Sequence, residues 1–166
     1  MIKRNKLEAF SLIEILVVIV IVSILTAIAV KGYRLFKVQA YNNIALYDLK
    51  NLISDELTYY GVEEKFIGFS PSDIKPNGIV VVGDFTHKYI SDEVKAVAKV
   101  SSNGNYANFC TKHKMGTLIY GYQTENDLIY YKESQQNYEI QVSDCPNATE
   151  NDDFSGWKTL SQKQLN

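Results

Sequence analysis

The chain has 166 residues, 46% of them hydrophobic, and a formal net charge of −2 at pH 7. This length and composition are those of one folded domain with a hydrophobic core. The nearly balanced charge excludes nucleic-acid binding through overall basicity.

The N-terminus joins a short basic stretch to a long apolar one. Three basic residues precede sixteen residues without a charge, Ile15 to Val30, and Phe10 to Ile13 extend this run across one interruption, Glu14. An apolar helix of roughly 20 residues crosses a bilayer. The basic flank predicts a cytoplasmic N-terminus and an exported remainder.

Three kinds of segment fit this pattern. A secretory signal is one, because Ala27 to Ala29 offers a small-x-small site with cleavage before Val30. A plain membrane anchor is the second. The third is a leader whose removal leaves the apolar part on the mature chain.

Glu14 favours the third kind, because a carboxylate inside an apolar helix costs roughly 2.5–3.5 kcal/mol at mid-membrane and is a functional hypothesis by default. Cleavage after Ala9 would create an α-amino group on Phe10, four residues before Glu14. On a helix these positions are neighbours. The same amine on an adjacent subunit could pair with Glu14 and fix the register between packed helices.

The stretch from Lys3 to Glu14 resembles the class III leader of type IV prepilins: a basic leader, a small residue, Phe, and Glu fifth after the cut. The resemblance implies cleavage by a prepilin peptidase between Ala9 and Phe10, N-methylation of Phe10, and an assembly role for Glu14. The resemblance in sequence covers residues 3–60. Beyond residue 60 it concerns only the expected arrangement of helix and sheet.

The chain departs from this family's usual residues at three positions, since Ala9, Ser23 and Lys31 stand where Gly, Gly and Pro are frequent. Ser23 and Thr26 can bond back to the preceding helical turn and bend it. Gly32 is the strong helix breaker that remains.

Beyond Gly32 the pattern becomes amphipathic and predicts that the helix continues to Tyr60, with Gly61 as its stop. The apolar residues that recur at helical spacing are Tyr41, Ile44, Ala45, Leu49, Leu52, Ile53, Leu57 and Tyr60, and the polar residues between them are Asn42, Asp48, Lys50, Asn51 and Asp55. Tyr33, Phe36 and Tyr41 form a predicted aromatic cluster for packing and interfacial anchoring. Charge transport, proposed for aromatic-rich pilins, is the alternative.

Residues 62–166 are predicted to form a globular domain, and Asn77-Gly78 marks its first turn. The predicted strands are Ile79–Val82, Phe85–Ile90, Glu93–Val100, Thr117–Gln123, Leu128–Lys132 and Tyr138–Val142. A hairpin is expected around Thr124 to Asp127. The expected fold is α+β, a type IV pilin roll in which a long N-terminal helix packs against an antiparallel sheet. The predicted organisation is a leader at 1–9, a helix at 10–61 with residues 10–30 in the membrane, and this domain.

The two cysteines, Cys110 before the fourth predicted strand and Cys145 after the last, both lie in the exported part. An oxidising compartment favours a disulfide between them, and two free buried thiols are the alternative. The motifs of nucleotide, zinc-protease and serine-hydrolase sites are missing from the sequence. We therefore expect no enzyme, no cofactor and no metal, with His87 and His113 as structural residues.

Two weaker signals remain in the exported domain. The acidic residues Asp144, Glu150, Asp152 and Asp153 are expected to be solvated, with calcium binding as the alternative. The basic run Lys112-His113-Lys114 could contact DNA phosphates.

The leading hypothesis is a type IV pilus subunit for motility, adhesion or DNA uptake. It forms a homopolymer, is held in the bacterial inner membrane before assembly, and is exposed at the cell surface afterwards. Its partners would be the prepilin peptidase, the assembly machinery, and DNA or a surface. The rivals are a type II secretion pseudopilin, a minor pilin, a conventionally secreted binding protein and an anchored enzyme.

Overall fold

The computed structural model of the protein describes residues 11–160. The chain divides into two compact units between Lys37 and Val38. Helix α1 spans Leu12–Glu63 and so contributes to both units. It passes through the predicted stop at Gly61, and Glu64 instead takes the left-handed backbone conformation, with φ of 55°, that commonly ends a helix.

The second unit contains a two-stranded hairpin and a five-stranded antiparallel sheet in the order β3-β4-β5-β6-β7. The strands are β1 (Val80–Val82), β2 (Phe85–His87), β3 (Val94–Val100), β4 (Ala107–His113), β5 (Leu118–Gln123), β6 (Leu128–Glu133) and β7 (Lys158–Thr159). Short 3₁₀ turns lie at Pro71–Asp73 and Val142–Asp144. The predicted α+β architecture is confirmed, and so is the hairpin that joins β5 to β6.

One strand prediction was wrong, and two strands, β4 and β7, were not predicted. Strand β4 was not predicted because its seven residues are all buried, polar ones included, so the alternation of polar and apolar residues is lost. Tyr138–Val142 was predicted as a strand, but residues 138–141 form a loop and Val142 begins the second 3₁₀ turn. The amide of Gln141 is bonded to the Asp144 carboxylate instead of a neighbouring strand. The short β7 was also not predicted.

The outer half of α1, which is residues 38–63 in the second unit, packs on one face of the sheet. Ala45, Leu49 and Leu52 are fully buried there, as their spacing predicts. They pack with apolar residues of the sheet and of the connection after α1, including Phe66, Phe69, Phe85, Ala96, Phe109, Tyr120 and Tyr122. Leu57 was placed on the same face by the sequence, but its side chain is 45% exposed.

The opposite face of the sheet is covered by the chain segment that follows β6. The residues of this second core are Val97, Cys110, Ile119, Tyr130, Ile140, Cys145 and Phe154, with Trp157 packed against them. Phe154 stacks on Tyr130 with ring centroids 4.7 Å apart. The sheet therefore lies between α1 and a layer made by the C-terminal segment.

The predicted disulfide joins Cys110 to Cys145, with Cα atoms 5.7 Å apart. The sequence placed Cys110 before a strand, whereas it lies in the middle of β4. Both cysteines are buried in the second core. The bond therefore fastens the C-terminal segment to the centre of the sheet.

Gly121 is expected to be intolerant of any side chain. It lies between Cys110 and Tyr130 on the neighbouring strands, and a Cβ atom there would overlap the ring of Phe154. Gly121→Ala should lower the free energy of unfolding by roughly 1–3 kcal/mol through overpacking. Denaturant unfolding of the purified chain measures this change.

Gly61→Ala is the matched control. Gly61 is helical, and apart from its chain neighbours and the backbone of its own helix, no described atom lies within 4 Å of a Cβ built there. Alanine in a helix should raise the free energy of unfolding by up to about 1 kcal/mol. Equal destabilisation by both substitutions would contradict the packing role of Gly121.

Candidate functional site: the apolar surface of helix α1

The first unit presents an apolar surface around the whole circumference of α1. Every described residue from 11 to 37 is exposed, and the run from Ile15 to Val30 carries no charge. A helix that is apolar on all sides belongs in a membrane or among other helices. By length and composition α1 contains one segment able to cross a membrane, and none of that segment is buried within the described residues.

The two hydroxyl groups in this apolar segment are satisfied within the helix. Ser23 donates from Oγ to the carbonyl oxygen of Ile19 at 2.6 Å, and Thr26 donates from Oγ1 to that of Val22 at 2.7 Å. This confirms the back-bonding expected from the sequence. The segment can therefore enter apolar surroundings without an unpaired hydroxyl.

Glu14 lies in the first turn of α1, where it closes the N-terminus of the helix. Its Oε2 accepts the amide of Ser11 at 2.8 Å, while the Ser11 hydroxyl accepts the amide of Ile13 at 3.3 Å. The bond from the Ser11 amide to Glu14 is the glutamate half of a capping box, whereas the Ser11 hydroxyl caps the amide of Ile13 instead of that of Glu14. The Ser-x-x-Glu spacing is visible in the sequence, but the sequence reasoning did not use it.

The other residues of the predicted processing site, Ala9 and Phe10, lie outside the described residues. The structure therefore shows Glu14 with a local partner, and the Phe10 amine stays a prediction. A capping glutamate and an assembly glutamate are compatible roles, because Oε1 is not used by the cap.

The predicted aromatic residues have different surroundings. Tyr33 and Phe36 are exposed in the first unit. Tyr41 belongs to the second unit, where it is half-buried and stacks on His113 with ring centroids 4.4 Å apart. The role of these aromatics in packing or charge transport stays a prediction.

The outer half of α1 carries three buried polar side chains that the sequence analysis did not identify as anchors. Asn42 accepts the amides of Thr117 and Leu118 through Oδ1, at 2.8 and 3.1 Å. Asp48 and Glu56 bind the chain between α1 and β3. Polar residues on a core-facing side of a helix are the signal that could have identified these anchors, because a buried polar group needs a partner.

Two of the four acidic residues near Cys145, Asp153 and Asp144, accept hydrogen bonds within the second unit. Asp153 accepts bonds from Asn108 and from the amide and hydroxyl of Thr149. Asp144 accepts from Tyr138 at 2.5 Å. Within residues 11–160, no three metal-ligating side chains of His, Cys, Asp or Glu come together.

The basic run at residues 112–114 does not form an exposed basic patch. Lys112 is 1% exposed and donates from Nζ to the carbonyl oxygens of His113 and Gly116, and its burial lowers the pKa of the amine. His113 is buried as well, and Lys114 is paired with Glu93 and Glu139. The DNA contact suggested by this run is therefore not supported by its surroundings.

Comparison with protein families matches residues 4–30 to the prokaryotic N-terminal methylation motif. This segment includes the predicted cleavage position, the capping glutamate and the exposed apolar run. A search of curated proteins finds no match to the chain. The family match thus covers the N-terminal segment.

Proposed function

Because the chain carries the N-terminal methylation motif of class III leader, type IV pilin-like proteins, we propose that it is a structural subunit of a type IV pilus. In this proposal a prepilin peptidase cuts between Ala9 and Phe10 and methylates the new amine. The subunit then waits in the inner membrane with its N-terminus in the cytoplasm. Assembly adds it to a homopolymer at the cell surface, where motility, adhesion or DNA uptake arises from the fibre.

The observation that carries this proposal is the exposed, uncharged apolar surface of α1 from Ile15 to Val30, which lies within the matched motif. Burial of apolar surface contributes about 25 cal/mol per Å². A membrane covers this surface before assembly, and copies of the same helix cover it in a fibre. The motif points to a structural protein, and the second unit would form the outer surface of the polymer.

The charge of Glu14 is proposed to set the register between neighbouring helices. The amine released on Phe10 of an adjacent subunit would neutralise the carboxylate when the helices stack. A buried ion pair costs desolvation and contributes little net stability, but it penalises every register in which one charge stays unpaired.

Mass spectrometry of the mature N-terminus tests the processing step. We expect a chain that begins with N-methylated Phe10. Ala9→Gly should keep this start, whereas a bulky Ala9→Val should leave the leader attached. A mature chain that begins at Val30 would show a conventionally secreted protein and would refute the proposal.

A deletion strain tests which assembly the subunit belongs to. Loss of surface fibres and of twitching motility is the expected result for a pilus subunit. Loss of protein secretion with fibres intact would identify a pseudopilin instead. Scarcity of the chain in sheared fibres would identify a minor pilin.

A further inference from the structure

The connection between α1 and β3, residues 64–93, is fastened to the outer half of α1 by three carboxylates of that helix. Each carboxylate holds a different part of the connection. The anchoring pairs are Glu56 with the amide of Ile67, Asp55 with the ring of His87, and Asp48 with the amide and hydroxyl of Ser91. The start, the second strand and the end of the connection are thus held separately.

Glu56 is the anchor least suited to carry a charge. It is 0% exposed, and its Oε2 accepts the Ile67 amide at 3.1 Å. Its Oε1 has no hydrogen-bond partner among the described residues. An ionised carboxylate that accepts one bond and has no exposure to bulk solvent is costly.

The protonated form of Glu56 is therefore favoured while the connection is closed. Burial raises the pKa of the Glu56 carboxyl from its ordinary value of 4.5 to about 8, and the nearby charge of Asp55 acts in the same direction. The bond from Ile67 opposes this shift without cancelling it. When the connection opens, water reaches the carboxyl and restores its ordinary acidity.

We propose that Glu56 makes the start of the α1–β3 connection a pH-sensitive clasp, closed on α1 in acid and increasingly open as the medium turns neutral and then alkaline. The closed state binds a proton that the open state releases. Proton removal therefore favours opening. The equilibrium constant for opening rises about tenfold per pH unit between the ordinary pKa of 4.5 and the closed-state pKa of about 8, and it levels off at higher pH. This behaviour belongs to the second unit and holds whether or not the chain forms a pilus.

Other ionisable groups face the same connection from several elements. Glu63 of α1 and Asp84 before β2 share a groove with Asp55. His87 contacts Asp55 through Nδ1 at 2.7 Å and the Tyr89 carbonyl oxygen through Nε2 at 2.9 Å. These groups act on the later part of the connection, near β2.

Asp48 acts at the far end of the connection. Burial raises the pKa of its carboxyl, and the bonds from Ser91 and the charge of His87 oppose that shift. Its proton linkage therefore has the same sign as that of Glu56. A readout close to Ile67 is needed to separate the two carboxylates.

Limited trypsin cleavage after Lys65 provides that readout, because Lys65 is exposed and lies two residues before Ile67. The full chain in detergent micelles is digested at pH 6 and pH 8 beside Glu56→Gln, which stays neutral at both. The cleavage rate of the unmodified chain is divided by that of Glu56→Gln at each pH, which removes the pH dependence of trypsin itself. We expect this quotient to rise roughly 50-fold from pH 6 to pH 8.

Glu63→Gln is the matched control, since it removes one exposed carboxylate from the same helix and should behave like the unmodified chain. The amide proton shift of Ile67 gives a second measurement that needs no variant, with an expected midpoint near the Glu56 value of about 8. An unchanged cleavage ratio, or an Ile67 midpoint near the ordinary value of 4.5, would overturn the clasp.

Discussion

Glu14→Ala is expected to abolish fibres while leaving processing and membrane insertion intact. The structure gives Glu14 one role within the helix, which is to accept the Ser11 amide as the glutamate half of a capping box. The proposed assembly gives it a second role, pairing with the amine of Phe10. Loss of one partner from a buried ion pair costs roughly 3–5 kcal/mol. At each subunit contact this is more than about 100-fold in the association constant.

Glu14→Gln separates the two roles. Glutamine can replace glutamate in a capping box, but it carries no charge to neutralise an ammonium group. If Glu14 acts through its charge, Gln and Ala are equally defective. If it acts through the cap alone, Gln restores fibres.

Ser11→Ala completes the set, because it removes the capping hydroxyl and keeps the carboxylate. The expected cost is about 1 kcal/mol of helix stability, with fibres still present. The measurement is the amount of subunit in sheared fibres relative to the membrane pool for each variant. Normal fibres in Glu14→Gln would disprove the register role.

The second large effect is expected from removal of the disulfide. Cys110 and Cys145 close a loop over a sequence separation of 35 residues. The chain-entropy model gives about 4 kcal/mol for such a loop. Replacing both cysteines with alanine should lower the free energy of unfolding by about this amount, and more if the second core loosens. Denaturant unfolding under oxidising conditions measures it.

Reduction of the unmodified chain is the control for this experiment. Both sulfurs are buried, so a thiol reagent should act on the folded chain slowly and at a rate limited by opening of the C-terminal segment. After reduction, the stability should approach that of the double variant. A loss below about 1 kcal/mol would mean that Phe154 and its neighbours hold the C-terminal segment without the bond.

The sequence predicted those features that depend on neighbours along the chain. The apolar run from Ile15 to Val30 indicates a membrane or bundle helix because its length and lack of charge are local properties. The turn between β5 and β6 follows from a short polar stretch between two apolar runs. The cysteine pair was predictable because two cysteines allow one pairing.

Features that depend on distant partners were missed. Strand β4 looks polar in sequence, yet Thr111 donates to the carbonyl oxygen of Ala45 at 2.7 Å, 66 residues away. Asn108 in the same strand donates to Asp153 at 2.9 Å. These bonds to other elements offset part of the cost of burying the two polar side chains.

What the sequence alone determined is the N-terminal half of the functional hypothesis: the methylation motif, the carboxylate at its edge and the apolar helix behind it. What only the tertiary structure decided is which polar residues of α1 face the core and how they are satisfied. The physical reason is that hydrophobic periodicity reports burial for apolar side chains. The burial of Asp48 depends on a donor from Ser91, and that of Glu56 depends on a donor from Ile67. Only the folded chain brings these donors to the helix.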